Sequence, residues 1–216
     1  MNPIYRQMDA SAMTVDAQAT SGPEEPNATS LPRNINLGLN RTYAADWSVQ
    51  DALRELYQNW KDAILQTSRI SLPEFLPRVS VTNNETTITV EERPWQAPDG
   101  RWQRPPMQKV LGYIRYDHIK GSAEFANFSS RLDPECLEMG HTTKRGDHRL
   151  AGGHGEGLKI AALVLSRENH HVKVVTNGTY WNFGFNGPSK TNFYCRLTAA
   201  KGRGESGGPS STATLS

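Results

Sequence analysis

ELYQNWKDA, Glu55 to Ala63, sets a glutamate, an asparagine and an aspartate among leucine, tyrosine and tryptophan. With Glu55 at zero and about 100° per residue, Asn59 falls near +40°, Asp62 near −20° and Gln66 near +20°. On the same wheel Leu53, Leu56, Trp60 and Ile64 cluster between roughly 100° and 180°. The segment is therefore an amphipathic helix with a compact polar stripe. Two expectations compete for that stripe. A solvated face is the simpler one, but solvated faces usually mix acids with Lys and Arg. Here Arg54 and Lys61 lie off the stripe. Oxygen side chains grouped without lysine can hold a hydrated Mg²⁺, and a carboxylate one turn from such a ligand can orient a water as general base.

Outward from this helix, Ser48 with Asp51 three residues on forms a capping-box pattern that starts it, and the helix is expected to run to about Gln66. PRVSVTNNETTITVEE reads as a hairpin around Asn83–Asn84. RPWQAPDGRWQRPPM reads as an ordered loop. KVLGYIRYD and SAEFANF form a second strand pair, and LDPECLEMG opens a short helix at Pro134. GLKIAALVLSRE supplies another helix. HVKVVTNGTYWNFGF is a hairpin turning at Asn177–Gly178, the strongest short-range turn signal in the chain, and TNFYCRLT is a closing strand. Hairpins alternating with helices predict an α+β fold: a sheet with helices packed on one face.

The 216 residues carry 36% hydrophobic side chains and a net charge of +2. The low apolar content matches two compositionally polar ends. Residues 1–31 and 201–216 are expected to be disordered tails flanking one domain over residues 32–200. The near-neutral charge favours neither nucleic acid nor membrane. Basic residues in TTKR, Arg115 and Lys120 are scattered among acids, so nucleic acid is the least favoured partner. The longest apolar run, IAALVL, is too short to span a bilayer, and no signal-peptide pattern opens the chain. Cys136 and Cys195 match neither a zinc pair nor a disulfide framework. The expectation is an intracellular protein of nucleus or cytoplasm, in which the Asn-x-Ser/Thr sequons and the RGD at Arg145–Asp147 arise by chance.

AGGHGEGLK, Ala151 to Lys159, stands directly before an apolar helix. Glycines there let backbone N–H groups approach an anion, and the helix start adds a favourable dipole. The loop has neither a Walker A nor a Rossmann pattern. His141, His148 and His154 match no common zinc spacing.

Glu-x-x-x-Asn-x-x-Asp-Ala on the first helix, followed by a Gly-x-x-Gly-x-Gly loop opening a later helix, resembles the GHKL ATPases. That superfamily includes gyrase B, heat-shock chaperones, histidine kinases and MutL. HGEGLKIAALVL with YWNF is also similar to fungal GHKL-like proteins. The resemblance covers about Ser48 to Thr198. It implies a two-layer α/β sandwich of the Bergerat type, with a mixed, largely antiparallel sheet and ATP with Mg²⁺ as ligands. It further implies that Glu55 orients the attacking water, Asn59 ligates Mg²⁺ and Asp62 lines the nucleotide site. Thr143 and Lys144 match the turn after the second motif. Gly152, Gly155 and Gly157 would close over the phosphates, with Lys159 adding charge and Thr191 contacting the nucleotide. The family's Asp-x-Gly-x-Gly is replaced by Asn127, Ser129 and Arg131. Asn127 can accept a hydrogen bond from adenine, but without charge assistance. Many members turn over only as homodimers or with a transducer domain that follows. Weak or partner-dependent hydrolysis is therefore one expectation, and a degenerate binding or scaffold module without turnover is the other.

Overall fold

Ser48 starts the first helix as its composition requires. Its Oγ accepts from Asp51 N–H at 3.3 Å, while Asp51 Oδ2 accepts from Ser48 N–H at 3.0 Å. The Ser48 hydroxyl, donating to Asp51 Oδ2 at 2.7 Å, and the Ser48 N–H hold the Asp51 carboxyl below the usual carboxylate range, because they favour its charged form. The helix α1 spans Val49–Ser68 and ends where Arg69 turns left-handed, φ 53°. The computed structural model describes residues 31–96, 99–103, 109–137, 156–200 and 211–216.

Both helices and every hairpin expected from the sequence form. Strands β2 (Arg78–Val81) and β3 (Glu85–Glu91) turn through Asn83–Asn84. The following segment contains a short ribbon, β4 (Trp95–Gln96) against β5 (Trp102–Gln103). Next come β6 (Val110–Asp117) and β7 (Ser122–Asn127), then a single helical turn over Pro134–Leu137 and helix α2, Gly157–Arg167. The strands β8 (Val172–Thr176) and β9 (Thr179–Asn186) turn at Asn177 and Gly178, both left-handed, and β10 (Asn192–Ala199) follows.

Two strands stand outside those expectations. Arg33–Asn40 forms β1, paired with β10. Ser211–Leu215, within the expected C-terminal tail, forms β11 between β8 and β7. The large sheet runs β1-β10-β9-β8-β11-β7-β6-β3-β2. In place of the expected mixed sheet, every neighbouring pair is antiparallel. The physical reason is β11. It is antiparallel to both β7 and β8, so those two run parallel to each other with a strand inserted between them. A strand–helix–strand crossover through α2 joins them, as parallel strands require.

One face of this sheet carries the core. Val172, Val174, Trp181, Phe183, Phe193, Cys195 and Leu197 alternate inward and are buried. α1 packs over β6 and β7, α2 over β8 and β9, and the two helices pack on each other. Gly112 marks the closest approach of α1. A Cβ there would stand 2.8 Å from Ile64 Cδ1 and 2.9 Å from Trp60 Nε1. The bare glycine lets Trp60 Nε1 donate to the Ala126 carbonyl at 2.9 Å, while the indole packs against Tyr57 and Phe75. At the far end of α2, Arg167 donates to the carbonyls of Tyr43, Ala44 and Trp47 at 3.0–3.3 Å. That fan clips the β1–α1 connection to the C-terminus of α2, where a cation is favoured.

Trp60→Ala should lower unfolding free energy by about 3–5 kcal/mol in urea titrations, the cost of emptying a large buried aromatic site. A loss under about 1 kcal/mol would mean that this contact does not seat α1.

Candidate functional site

The polar stripe of α1 is not a solvated face. Glu55 and Asn59 are half-buried, and Asp62 has 0% exposure; only Gln66 at the end of the stripe is open. Asn59 Nδ2 donates to the Glu55 carbonyl at 2.9 Å and to Glu55 Oε1 at 3.0 Å. With its nitrogen turned to Glu55, the amide presents Oδ1, the atom able to ligate a cation, away from that carboxylate. Gln58 Nε2 donates to Asp62 Oδ1 at 2.8 Å.

The start of α2 meets this stripe. A Cβ on Gly157 would lie 1.8 Å from Glu55 Oε1 and 2.4 Å from its carboxyl carbon. Glycine is the one residue that permits this approach without moving Glu55. Glu156, at the cap position, supplies no side-chain cap. The first amides of α2 have no acceptor within the helix, so a carboxylate beside them is electrostatically favoured. Two motifs separated by about a hundred residues thus converge at one point.

Lys159, two residues further along α2, is 1% exposed. Burial pulls its pKa down, opposed by the negative charge of Glu156 and by the Cys136 thiol. The same burial pushes the Cys136 and Cys195 thiols up to about 12, which removes both as thiolates near neutral pH.

Asn127, 4% exposed, closes the end of β7 opposite Gly112. Its Nδ2 donates to the Trp60 carbonyl at 3.4 Å, and its Oδ1 accepts from Ser129 N–H at 3.5 Å. The acceptor expected to meet adenine is thus directed at its own backbone. Arg131 is exposed. Thr191 stands apart from the other candidates. Its carbonyl accepts from Arg41 N–H at 2.9 Å, and Arg41 Nη2 donates to the Arg167 carbonyl at 3.3 Å, at the opposite end of α2 from Gly157. Thr143, Lys144, Gly152 and Gly155 lie outside the described residues.

An open cleft of about 480 Å³ runs along the N-terminal half of α1, lined by Asp46, Trp47, Asp51, Arg54, Glu55 and Gln58. It is large enough for a small molecule. Its three carboxylates face a single guanidinium, already paired with Asp51 at 2.8 Å. An anion approaching Glu55 from this side meets repulsion unless a cation accompanies it. Nothing in the sequence pattern singled out Asp46 or Trp47, which enter the cleft through the turn that Arg167 holds.

Gly157→Ala should cost about 1–2 kcal/mol, because Glu55 must swing off Asn59 to make room. In a Glu55→Ala background the same change should be neutral or stabilising, since alanine outranks glycine in a helix. Chemical denaturation of the double-mutant cycle measures the coupling. No protein-family model matches the chain, nor does any curated protein or solved structure.

Proposed function

We propose that the junction of α1 and α2 is a Mg²⁺–ATP site of the GHKL type, with weak or partner-dependent hydrolysis. The observation that carries this is the contact between Glu55 and Gly157. It brings the carboxylate of the Glu-x-x-x-Asn-x-x-Asp motif against the helix opened by the glycine loop. Glu55 accepts a proton from a water held beside the α2 start, and the Asn59 amide keeps its carboxylate oriented. Mg²⁺ would be held by Asn59 Oδ1, supplying charge neutralisation between the phosphates and Glu55. Among the described residues no three His, Cys, Asp or Glu side chains converge on a metal position. A cation at Asn59 would be held by that one protein oxygen together with phosphates and waters, as Mg²⁺ often is. Lys159 adds positive charge behind the helix start. Asp62 is enclosed, so a nucleotide reaches it only by displacing what covers it. The finer Bergerat arrangement of the sandwich belongs to this proposal, as does a homodimer or a partner that supplies a transducer domain.

A second function, a binding or scaffold module of the same fold without turnover, is favoured by Asn127. Its oxygen accepts from Ser129 N–H at 3.5 Å, and an amide stands where the family carries a charged acceptor.

Thermal melts of the full chain separate the two. Mg²⁺–ATP at about 100 times its dissociation constant should stabilise by roughly 2.7 kcal/mol, a rise of roughly 5–10 °C in Tm for a chain of this size. The rise should vanish with EDTA and in Asn59→Ala. Glu55→Ala should keep the nucleotide-dependent rise and lose phosphate release. No rise at millimolar nucleotide would establish the module without turnover.

A further inference from the structure

The face of the sheet turned away from the helices has its own chemistry. The strands β1, β10, β9 and β8 contain no Asp or Glu at any position, in a chain that holds 22. Burial does not explain this, because half of those positions point outward. Register places the outward residues in rows across the strands. One row reads Asn34, Arg196, Asn182, Lys173. The next reads Asn36, Tyr194, Gly184, and another Thr198, Tyr180, Val175. Asn34, Asn36 and Arg196 are exposed, and Lys173, Tyr180, Asn182 and Tyr194 are half-buried. Neither Arg196 nor Lys173 makes an ion pair among the described residues.

Tyr194 is set as a platform. Its Cε1 and Oη lie 3.6 Å from where a Cβ of Gly184 would stand, so the ring lies across the bare glycine of the neighbouring strand. Lys173 Nζ sits 4.0 Å from the centroid of the Tyr180 ring, a cation–π contact that holds this ammonium on the same face. The field is about 14 Å wide across the four strands and about 27 Å along an eight-residue strand.

We propose that this face binds single-stranded RNA. A base stacks on Tyr194, phosphates pair with Arg196 and Lys173, and the amides of Asn34, Asn36 and Asn182 bond to base edges and 2′-hydroxyls. Each part follows from general recognition chemistry: flat aromatic platforms take unstacked bases, and amides read their edges and the ribose. The absence of carboxylates from these four strands, with Arg196 and Lys173 making no ion pair among the described residues, selects a polyanion over a neutral glycan; Glu124, which continues the row beyond Thr214, is paired with Arg115. Val175 is the one aliphatic side chain in these rows, too little for the apolar centre of a protein interface. A duplex is disfavoured because groove reading needs an inserted helix or ribbon, and these four strands present a sheet face instead.

Fluorescence anisotropy of a labelled twelve-nucleotide single-stranded RNA, titrated with the full chain in EDTA and low salt, tests this. The expected dissociation constant is about 10⁻⁶–10⁻⁴ M, rising with salt. Tyr194→Ala should weaken binding about tenfold, while Tyr194→Phe, which keeps the ring, stays within about twofold. Arg196→Glu should weaken it about tenfold and flatten the salt dependence. Asn59→Ala should bind as the wild type does, which separates this face from the nucleotide site whatever the fate of the latter. Thermal melts confirm that each variant is folded. Absence of binding at the upper end of that range overturns the proposal, as does affinity unchanged by both Tyr194→Ala and Arg196→Glu. Equal affinity for DNA of the same sequence, or for a duplex, overturns the assignment to single-stranded RNA.

Discussion

The close approach of Glu55 to Gly157 is the constraint around which the helix layer is arranged. For a carboxylate to lie 1.8 Å from a would-be Cβ, both helices must be fixed in depth and in rotation. Depth comes from Gly112, which lets α1 settle until the Trp60 indole reaches the Ala126 carbonyl. Rotation comes from the ends. Ser48 caps α1, and the Arg167 fan ties the turn before that cap to the last residues of α2. Each contact is individually modest, on the order of 1–3 kcal/mol. Together they define one position for α1, and the half-buried stripe is its consequence.

The sheet supplies the second constraint. β11 stands between two strands that a helical crossover would otherwise make neighbours. It fills the gap with ladders on both sides. Its side chains are small or β-branched apart from Leu215, so it adds little apolar burial and acts mainly through its backbone. The insertion sets β7 and β8 two strand spacings apart, about 10 Å. That spacing matches the distance at which two helices pack side by side, so α1 over β7 and α2 over β8 can touch along their length.

Much of this was legible in the sequence because local chemistry specified it. The capping pattern at Ser48, the Asn177–Gly178 turn, the Pro134 turn and both helices need only neighbours a few residues away. The polar stripe was legible as a stripe, but its burial was not. A helical wheel ranks faces by polarity, and a polar face enclosed by another helix has the same wheel as one in water. Asp62 is the example: acidic, on the polar side, and fully enclosed. β11 failed for a different reason. Thr212 and Thr214 favour a strand, but they stand with Ser and Ala in a Gly- and Ser-rich context, and the ladders to β7 and β8, distant in sequence, make a strand of them. β1 alternates Ile35, Leu37 and Leu39 inward, a signal that was present but fell beside a polar segment. Thr191 shows the limit of matching by motif. Its place before the last hairpin strand suited a nucleotide contact, yet the strand direction carries it to the other end of α2.

The two faces of the molecule treat a polyanion in opposite ways. Beside Glu55, three carboxylates outnumber one paired arginine, so a phosphate chain gains nothing from the local field until a divalent cation intervenes. Across β1, β10, β9 and β8 no carboxylate intervenes, and Arg196 and Lys173 make no ion pair among the described residues, so the proposed RNA site calls for no metal. On the proposed sheet site Arg196 is exposed, so salt should screen its pairing with phosphate within about a Debye length of 8–10 Å. Under the two proposals, metal dependence marks the α1–α2 junction and steep salt dependence marks the sheet face. A ligand bound by this chain can be assigned to a face by which of the two it obeys.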